Sequence, residues 1–577
     1  MNSNTVKLLQ KHFDTALETP DGVKKLRELI LTLAMQGKLV PQNPKDQPAS
    51  ALLKEIEAEK KRLVKAGKIK KQEPLPPIKP EEVPYKLPTG WDWVRLGVLT
   101  EIITSGSRDW AKYYCSNGRA KFVRMGNLSH GWFNLKTDNI QMVNPPPNGE
   151  GTRTSLIEND LLVSITGDVG WKALIPKNFG EAYINQHTAL IRFLEEFRGR
   201  FYPLILCSPL AQKQFNAPQR GIKNSFRLSD VSLLYVPLPP LAEQRCIVAK
   251  IDELMALCDR LEAERNERNQ KRLTVHTTAM NRLLTSQDKE SFSASWSFIT
   301  KHFSELYSVS QNVAELKKAI LQLAVMGKLV PQDPKDQPAS ALLKEIEAEK
   351  KRLVKAGKIK EQKPLPPIKP EEAPYELPTA WAWVRLGELV SRSEAGWSPS
   401  CESRRAAPNE PGVLKISAVS WGFFDESQNK ALPKNLKPVT EHEVQVGDFL
   451  LSRANTAELV AKSVIVKQTR PKLYICDKII RLKISSLLDC DFACMVNNSA
   501  SSRSYYISKA SGTSSSMQNV SRQTVLELPF PLPPLAEQRR IVAKIDRLMA
   551  FCDDLEKQIA AATGKQTAIF NAVLAKV

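Results

Sequence analysis

The chain has 577 residues, 42% of them hydrophobic, and a formal net charge of +21. That is enough for several packed domains, and so large a basic excess points to a polyanionic partner. No run of about 18 apolar residues could span a membrane and no apolar core near the N-terminus suggests a signal peptide, so a cytoplasmic protein without a membrane partner is expected. The nine cysteines are scattered singly apart from Cys490 and Cys494. An odd number without an export signal fits free thiols, and that pair alone is an incomplete ligand set, so no metal site is expected.

In chain order, Val23, Leu26, Ile30 and Leu33 make one helical stripe and Gly37 stands at its C-terminal stop. Residues 49–66 form a second, highly charged helix ending at Gly67, with the thin stripe Leu52, Ile56 and Leu63. A helix so polar is expected to need a partner surface or to remain solvent-exposed. Five prolines between Pro74 and Pro84 then favour extended polyproline II and exclude helix, so the stretch reads as a stiff strap. Trp91 and Trp93, alternating with polar residues, open a globular unit.

Residues 88–240 change to short apolar runs broken by Gly, Asn and Pro, among them KFVRMGNL, DLLVSITGDVG and AYINQHTALIRF. These are strands and turns of a mixed α/β domain. A long helix follows, with Ile247, Ile251, Leu254, Cys258 and Leu261 at alternating spacings of four and three, the seam of a coiled coil.

The chain then repeats itself. Residues 327–387 differ from 37–97 at 7 of 61 positions, and 531–555 differ from 237–261 at 4 of 25, with offsets of 290 and 294. The globular unit 378–534 has the same grammar in VLKISAVSWGFF, VGDFLLSRA and KIIRLKI, yet little of it aligns with the first. The C-terminal helix carries the seam on through Ile541, Ile545, Leu548, Cys552, Leu555, Ile559, Ala562, Ile569 and Val573.

The expected fold is therefore α+β, a pseudo-twofold tandem repeat. A helical arm and strap occupy 1–87, a first mixed α/β domain 88–240, a central helical spacer and second strap 241–377, a second domain 378–534 and a last helix 535–577. Long antiparallel helices of some 40 residues would separate the domains by roughly 60 Å at most. Because the modules follow one another directly at 237–387, the two chain ends are expected to meet and rebuild the central frame.

Catalytic chemistry is missing. GDVGWK at 167–172 lacks the spacing of a phosphate loop, and no HExxH or GxSxG occurs. NPPP at 144–147 has a proline where adenine methyltransferases carry an aromatic residue, and Asp168 and His187 are lone polar residues in turns. No catalytic residue is assigned.

Taken together, GKLVPQ, the charged helix and strap, LPTGWDWVRLG and LPTAWAWVRLG, PLPPLAEQRCIVAKIDELM and PLPPLAEQRRIVAKIDRLM, and the elements NDLLVSITGDVGW and VGDFLLSRANT resemble the specificity subunits of type I restriction-modification systems. The resemblance covers essentially the whole chain. It implies a non-catalytic DNA-reading subunit whose two target recognition domains each read half of a split, asymmetric site in double-stranded DNA. The helical repeats would seat two modification subunits, which bring S-adenosylmethionine to methylate adenine, and the assembly would recruit restriction subunits with ATP and Mg. No cofactor is expected on this chain.

If so, base readers are polar and basic residues in the domain turns, Arg or Lys suiting guanine and Asn or Gln adenine. The candidates in the first domain are Ser105, Ser107, Arg108, Arg124, Asn127, Asn185, Gln186, Lys223, Asn224 and Arg227. Those in the second are Arg404, Arg405, Lys415, Ser417, Arg453, Asn455, Ser515 and Gln518. A stand-alone bipartite DNA-binding protein of architectural or regulatory type, or a coiled-coil scaffold for other proteins, is the competing expectation.

Overall fold

The computed structural model describes residues 19, 21–146, 151–217, 225–286, 288–420, 422–514 and 517–574. The chain divides into two compact units, residues 1–267 with 563–577, and residues 268–562. Two long helices, Leu241–Thr285 and Leu535–Leu574, each contribute residues to both. No helix among the described residues is long and apolar enough to cross a membrane.

Unit 1 begins with the helix Gly22–Met35, which Gly37 terminates at φ +67°, a left-handed conformation that glycine adopts without a Cβ penalty. The charged helix Ala49–Lys65 follows, and its thin stripe is fully covered by the chain itself. Leu52 and Ile56 are 1% exposed and join Trp91, Ile191, Tyr202, Ile247 and Ile251 in one core. No outside partner is needed to bury them.

Ten strands follow: β1 (Asp92–Arg95), β2 (Thr100–Ser105), β3 (Tyr114–Cys115), β4 (Ala120–Val123), β5 (Gln141–Val143), β6 (Leu161–Ser164), β7 (Lys172–Leu174), β8 (Ala182–Ile184), β9 (Thr188–Phe193) and β10 (Tyr235–Leu238). One sheet has the order β2-β9-β6-β7 and is antiparallel; another has the order β3-β5-β4-β8, with β4 and β8 parallel. The first is covered on both faces: Leu161, Val163 and Ile191 point into the core shared with the helices, while Leu162 and Leu190 enter a second core with Val123 and Ile184. This two-sided burial is why its strands read as unbroken apolar runs.

The first and last strands, β1 and β10, pair antiparallel from Asp92↔Leu238 to Arg95↔Tyr235. They close the domain at a neck. Arg95, 8% exposed, fixes the strap to that neck. Its guanidinium donates to the carbonyls of Pro76 and Pro77 (3.3 and 3.4 Å), to that of Leu233 (2.8 Å) and to both Glu82 carboxylate oxygens (2.7 and 2.9 Å). At Gly97 an added Cβ would lie 2.9 Å from Leu75 of the strap, so the strap lies against backbone. Trp91 seals the neck to the long helix, its indole N–H donating to the buried Glu243 at 2.8 Å.

Unit 2 repeats the frame of this arrangement. Its strands are β11 (Ala382–Arg385), β12 (Val390–Ala395), β13 (Gly412–Leu414), β14 (Asn429–Ala431), β15 (Phe449–Ser452), β16 (Ala454–Asn455), β17 (Ser463–Ile465), β18 (Leu473–Tyr474), β19 (Ile479–Ile484), β20 (Ser511–Ser514), β21 (Met517–Asn519) and β22 (Pro529–Leu532). The order β12-β19-β15-β17 matches β2-β9-β6-β7, and β14-β13-β18 matches β5-β4-β8 without a counterpart of β3; β16-β21-β20 form a further sheet, and β11 pairs with β22 at the neck. Arg385 donates to the carbonyls of Pro366, Pro367 and Glu527 and to Glu372, and Trp381 donates to Glu537 at 3.0 Å. Arg27 pairs with Asp259 and Glu262 (2.7 and 2.9 Å); Lys317, 290 positions on, pairs with Asp553 and Glu556 at the same distances. Little sequence aligns between the two domains, but their strand topology is shared.

The chain ends do meet within unit 1, where Lys25 Nζ donates to Asn571 Oδ1 at 2.7 Å. In unit 2 the comparable stretch is the later part of the first long helix, where buried His276 lies 3.1 Å from the Tyr307 hydroxyl. The seam itself departs from the expected heptad. Met255 is buried while Leu254 is only partly so, and far along the last helix Phe570 is buried at 3% while Ala562 and Ile569 are exposed. From Cys552 to Phe570 is 18 residues, about five turns at 3.6 residues each, so burial drifts off a strict 3.5-residue repeat. The Val573 side chain lies outside the description.

The straps impose a pH dependence. Glu82 is held below the ordinary carboxyl value of 4.5 by the Lys79 backbone N–H and then by Arg95, and Glu372 by Arg385 and then by the Lys369 N–H. A carboxyl lowered in the folded state stabilises it above the unfolded value, and that stability disappears as pH falls through the lowered one. Acidification below pH 4.5 should release both straps, read as faster proteolysis within 68–86 and 358–376, and Glu82→Gln with Glu372→Gln should abolish the acid step. Replacing Arg95 by Met should cost about 2 kcal/mol at neutral pH, less than a fully buried pair because Glu82 keeps a third of its exposure; urea melts would measure it.

Candidate nucleic-acid interface

In unit 1 the C-terminal ends of β2, β4, β6 and β8 converge on one turn, Asn185–His187, which leads into β9. Ser105 lies opposite Ala189 and Ser164 opposite Thr188. Gly106 makes the convergence possible, since a Cβ there would stand 1.9 Å from the Ile184 carbonyl oxygen. Ser107 is thereby bridged to Asn185, and its hydroxyl accepts from the Trp110 indole at 3.1 Å.

Arg124 follows β4 directly. With Asn127, Asn139, Asn185 and His187 it lines a hollow of about 410 Å³. Its guanidinium bonds to no described residue. The Asn185 side-chain oxygen accepts from the His187 N–H (3.2 Å) and the Thr188 hydroxyl (3.1 Å), leaving its amide N–H groups toward the hollow unoccupied by any described acceptor. His187 lies 2.7 Å from the Thr166 hydroxyl through Nδ1 and 2.9 Å from Gln186 Nε2 through Nε2. That arrangement suits a tautomer with the proton on Nδ1. The edge thus offers a free cation, amide donors and a fixed imidazole, the groups that read base edges.

Unit 2 builds its edge on the same register. Lys121↔Ala182 and Phe122↔Tyr183 correspond to Gly412↔Leu473 and Val413↔Tyr474, so Lys415 takes the place of Arg124. The Ile165 N–H donates to the His187 carbonyl and the Arg453 N–H to that of Lys478, so Arg453 replaces Ile165 and Lys478 replaces His187. Asn455 faces Gln518 across β16 and β21, donates to the Ser420 hydroxyl at 2.9 Å, and lines a hollow of about 210 Å³ with Ser417 and Ser420. One basic position is common to both edges and the neighbouring side chains differ.

The remaining candidates separate by environment. Arg108, Arg227 and Arg405 are exposed without joining either hollow. Two expectations are corrected. Asn127 is 5% exposed, and its amide is occupied by the Arg124 N–H and the Lys136 carbonyl, so it shapes the turn rather than offering a hydrogen bond. Arg404 is paired with Glu410 and Glu402 (2.6 and 2.7 Å), which raise its pKa, and its guanidinium in turn lowers the Glu410 carboxyl to about 2. The Ser417 hydroxyl donates a hydrogen bond to Gln428 Oε1 at 2.9 Å. Lys223, Asn224 and Ser515 lie outside the described residues. Sequence reasoning passed over Thr166, His187, Ser420 and Lys478; adjacency to Asn185–Gln186 was the available signal for His187. Among the described residues no cluster of three or more His, Cys, Asp or Glu could hold a metal.

Comparison with known proteins gives a consistent result. The family model described as the type I restriction modification DNA specificity domain matches residues 88–269 and 461–562. The chain is 36% identical over 568 residues to the type I restriction enzyme EcoEI specificity subunit of Escherichia coli, covering 96% of this chain and 93% of that protein. It is 33% identical over 577 residues to the EcoAI specificity subunit of Escherichia coli, with 95% and 92% covered. The crystal structure of the HsdS subunit from Thermoanaerobacter tengcongensis overlays with a TM-score of 0.39 at 19% identity, covering 85% of this chain and 98% of that one.

Two substitutions test the edge. Arg124→Ala and Lys415→Ala should each weaken duplex binding and lower the slope of log affinity against log salt by about 1 if the cation meets a phosphate, or cost about 1–3 kcal/mol at one base pair if it meets guanine. Asn127→Ala should lower stability by about 1–3 kcal/mol, through unsatisfied backbone groups, without changing base preference. Fluorescence anisotropy across a salt series and a panel of sites separates these outcomes.

Proposed function

The chain belongs to the family of type I restriction enzyme specificity subunits, and on that premise we propose that it reads a bipartite, asymmetric DNA site, one half with each recognition domain. It directs adenine methylation or cleavage carried out by partner subunits and has no catalysis of its own. The observation that carries this reading is the contrast between frame and edge. The frame contacts, Arg95 with Glu82 and Arg385 with Glu372, Trp91 with Glu243 and Trp381 with Glu537, are the same twice. The edges, on the same strand register, carry Ile165, Gly167, Asn185 and His187 in one domain and Arg453, Asn455, Cys476 and Lys478 in the other. A duplicated frame suits two like partners and two unlike edges suit two different DNA words.

The partners under this reading are double-stranded DNA, two modification subunits supplying S-adenosylmethionine, and restriction subunits supplying ATP and Mg chemistry. The chain's own part is positional. Backbone contacts set register, and side chains at the two edges discriminate bases, each good bidentate pair being worth about 1–3 kcal/mol against the wrong base.

Co-expression with a cognate modification subunit, followed by mapping of methylated adenines, should yield one two-part motif. Exchanging residues 98–236 for those of another specificity subunit should change one half of the motif and leave the other half intact. A motif that changed in both halves, or none at all with an active partner, would sink the reading.

A further inference from the structure

The end of the helix Ala49–Lys65 and the chain that follows it form a surface separate from the reading edge. Between Lys60 and Lys71 there are seven basic residues and no acidic one. Five of them, Lys60, Lys61, Lys65, Lys70 and Lys71, line a hollow of about 350 Å³ together with Glu57 and the half-buried Val64 and Ile69. Lys60 is the anchor: its ammonium donates to the Gly97 carbonyl (2.8 Å) and to Gln72 (2.9 Å), holding the strap against the helix. Gly67, at φ +69° and with open space where a Cβ would lie, turns the chain back to close the hollow. Lys61 pairs with Glu57, but among the described residues no carboxylate lies at ion-pair distance from Lys65, Lys70 or Lys71.

The same surface occurs again in unit 2. Residues 49–70 and 339–360 are identical, Lys350 reaches Gln362 (2.7 Å) and the Gly387 carbonyl (3.1 Å), and Val354, Lys355, Ile359 and Lys360 repeat the burial pattern. Glu361 stands in place of Lys71, and Lys363 in place of Glu73. Packing alone requires little of this identity, since Ala49, Leu52 and Ile56 with their counterparts are the positions buried in both copies.

Position decides what the surface meets. Gln72 donates to the Glu101 carbonyl at one end of β2, whereas Ser105 and Ser107 stand at the reading edge at the other. With about 3.3 Å per strand residue, roughly 15 Å of strand separates the two. Phosphates would satisfy the lysines but leave the apolar floor unfilled; an acidic peptide with one apolar side chain satisfies both.

We propose that this basic surface, present once on each repeat, is the docking point for an acidic segment with an apolar anchor on a partner protein that attaches twice. Resting on the function proposed above, that partner is the modification subunit.

The test uses the full chain with its cognate modification subunit. Lys65→Glu, Lys70→Glu and Lys71→Glu together should weaken attachment at the first repeat about tenfold, and Lys355→Glu with Lys360→Glu should do so at the second. Native mass spectrometry should show two bound subunits falling to one with either set and to none with both, while DNA affinity of the isolated chain is unchanged. Two subunits bound at undiminished affinity with both sets reversed would refute the docking site, as would a loss of DNA affinity in its place. Should a reversed chain fail to fold by circular dichroism, the Lys→Gln versions and Val64→Ser with Val354→Ser serve instead, and unchanged attachment in them is equally fatal. A wild-type pair that binds but methylates no two-part motif discredits the proposed function rather than the docking site.

Discussion

The structure depends on one buried cation used twice. Arg95 and Arg385 each bring together a carboxylate, two strap carbonyls and a carbonyl just before the last domain strand. Only a guanidinium has enough donors, in a fixed plane, to satisfy so many acceptors at once; a lysine has three rotating ones. Proline supplies the matching half. A strap without regular secondary structure leaves its carbonyls unpaired, and those carbonyls are the acceptors the arginine needs. A charge that would be costly to bury alone becomes the point at which strap, neck and recognition domain meet.

Around that point the polar and apolar parts divide the work. The neck tryptophans bury their rings in the core and give their N–H groups to Glu243 and Glu537, carboxyls whose pKa burial pushes up. The sheets behind the proposed reading edges are covered on both faces, so they present a fixed array of strand ends. Rigid strands carrying exchangeable tips are what base discrimination requires, because a donor displaced by an ångström no longer selects a base.

Much of this was legible in the sequence. The repeat announced the frame, glycines at 37 and 67 announced the helix ends, and the proline spacing announced the strap. The shared strand order of the domains was hidden, because a sheet buried on both faces asks only for apolar runs of the right length and leaves their identity open. Asn127 and Asn185 are the same residue type in similar turns beside one hollow, yet backbone groups hold both ends of the Asn127 amide and only the oxygen of Asn185 is held; only tertiary position separates them. Arg404 had Glu402 and Glu410 close in sequence, but whether charges two and six residues apart meet depends on the path of the turn. The seam was mistaken at its end because a pattern counted in sevens slides round a helix counted in 3.6.

The neck where β1 meets β10 and β11 meets β22 has a consequence for domain length. Each recognition domain enters and leaves the frame through two hydrogen-bonded neighbours, so to the frame the whole domain is topologically a hairpin loop. The second domain is four residues longer than the first, and the difference vanishes at the neck: Arg95↔Tyr235 and Arg385↔Pro529 close the same ladder. What lies beyond that ladder can lengthen or shorten without moving the ladder, provided the apolar face it turns to the helices is kept.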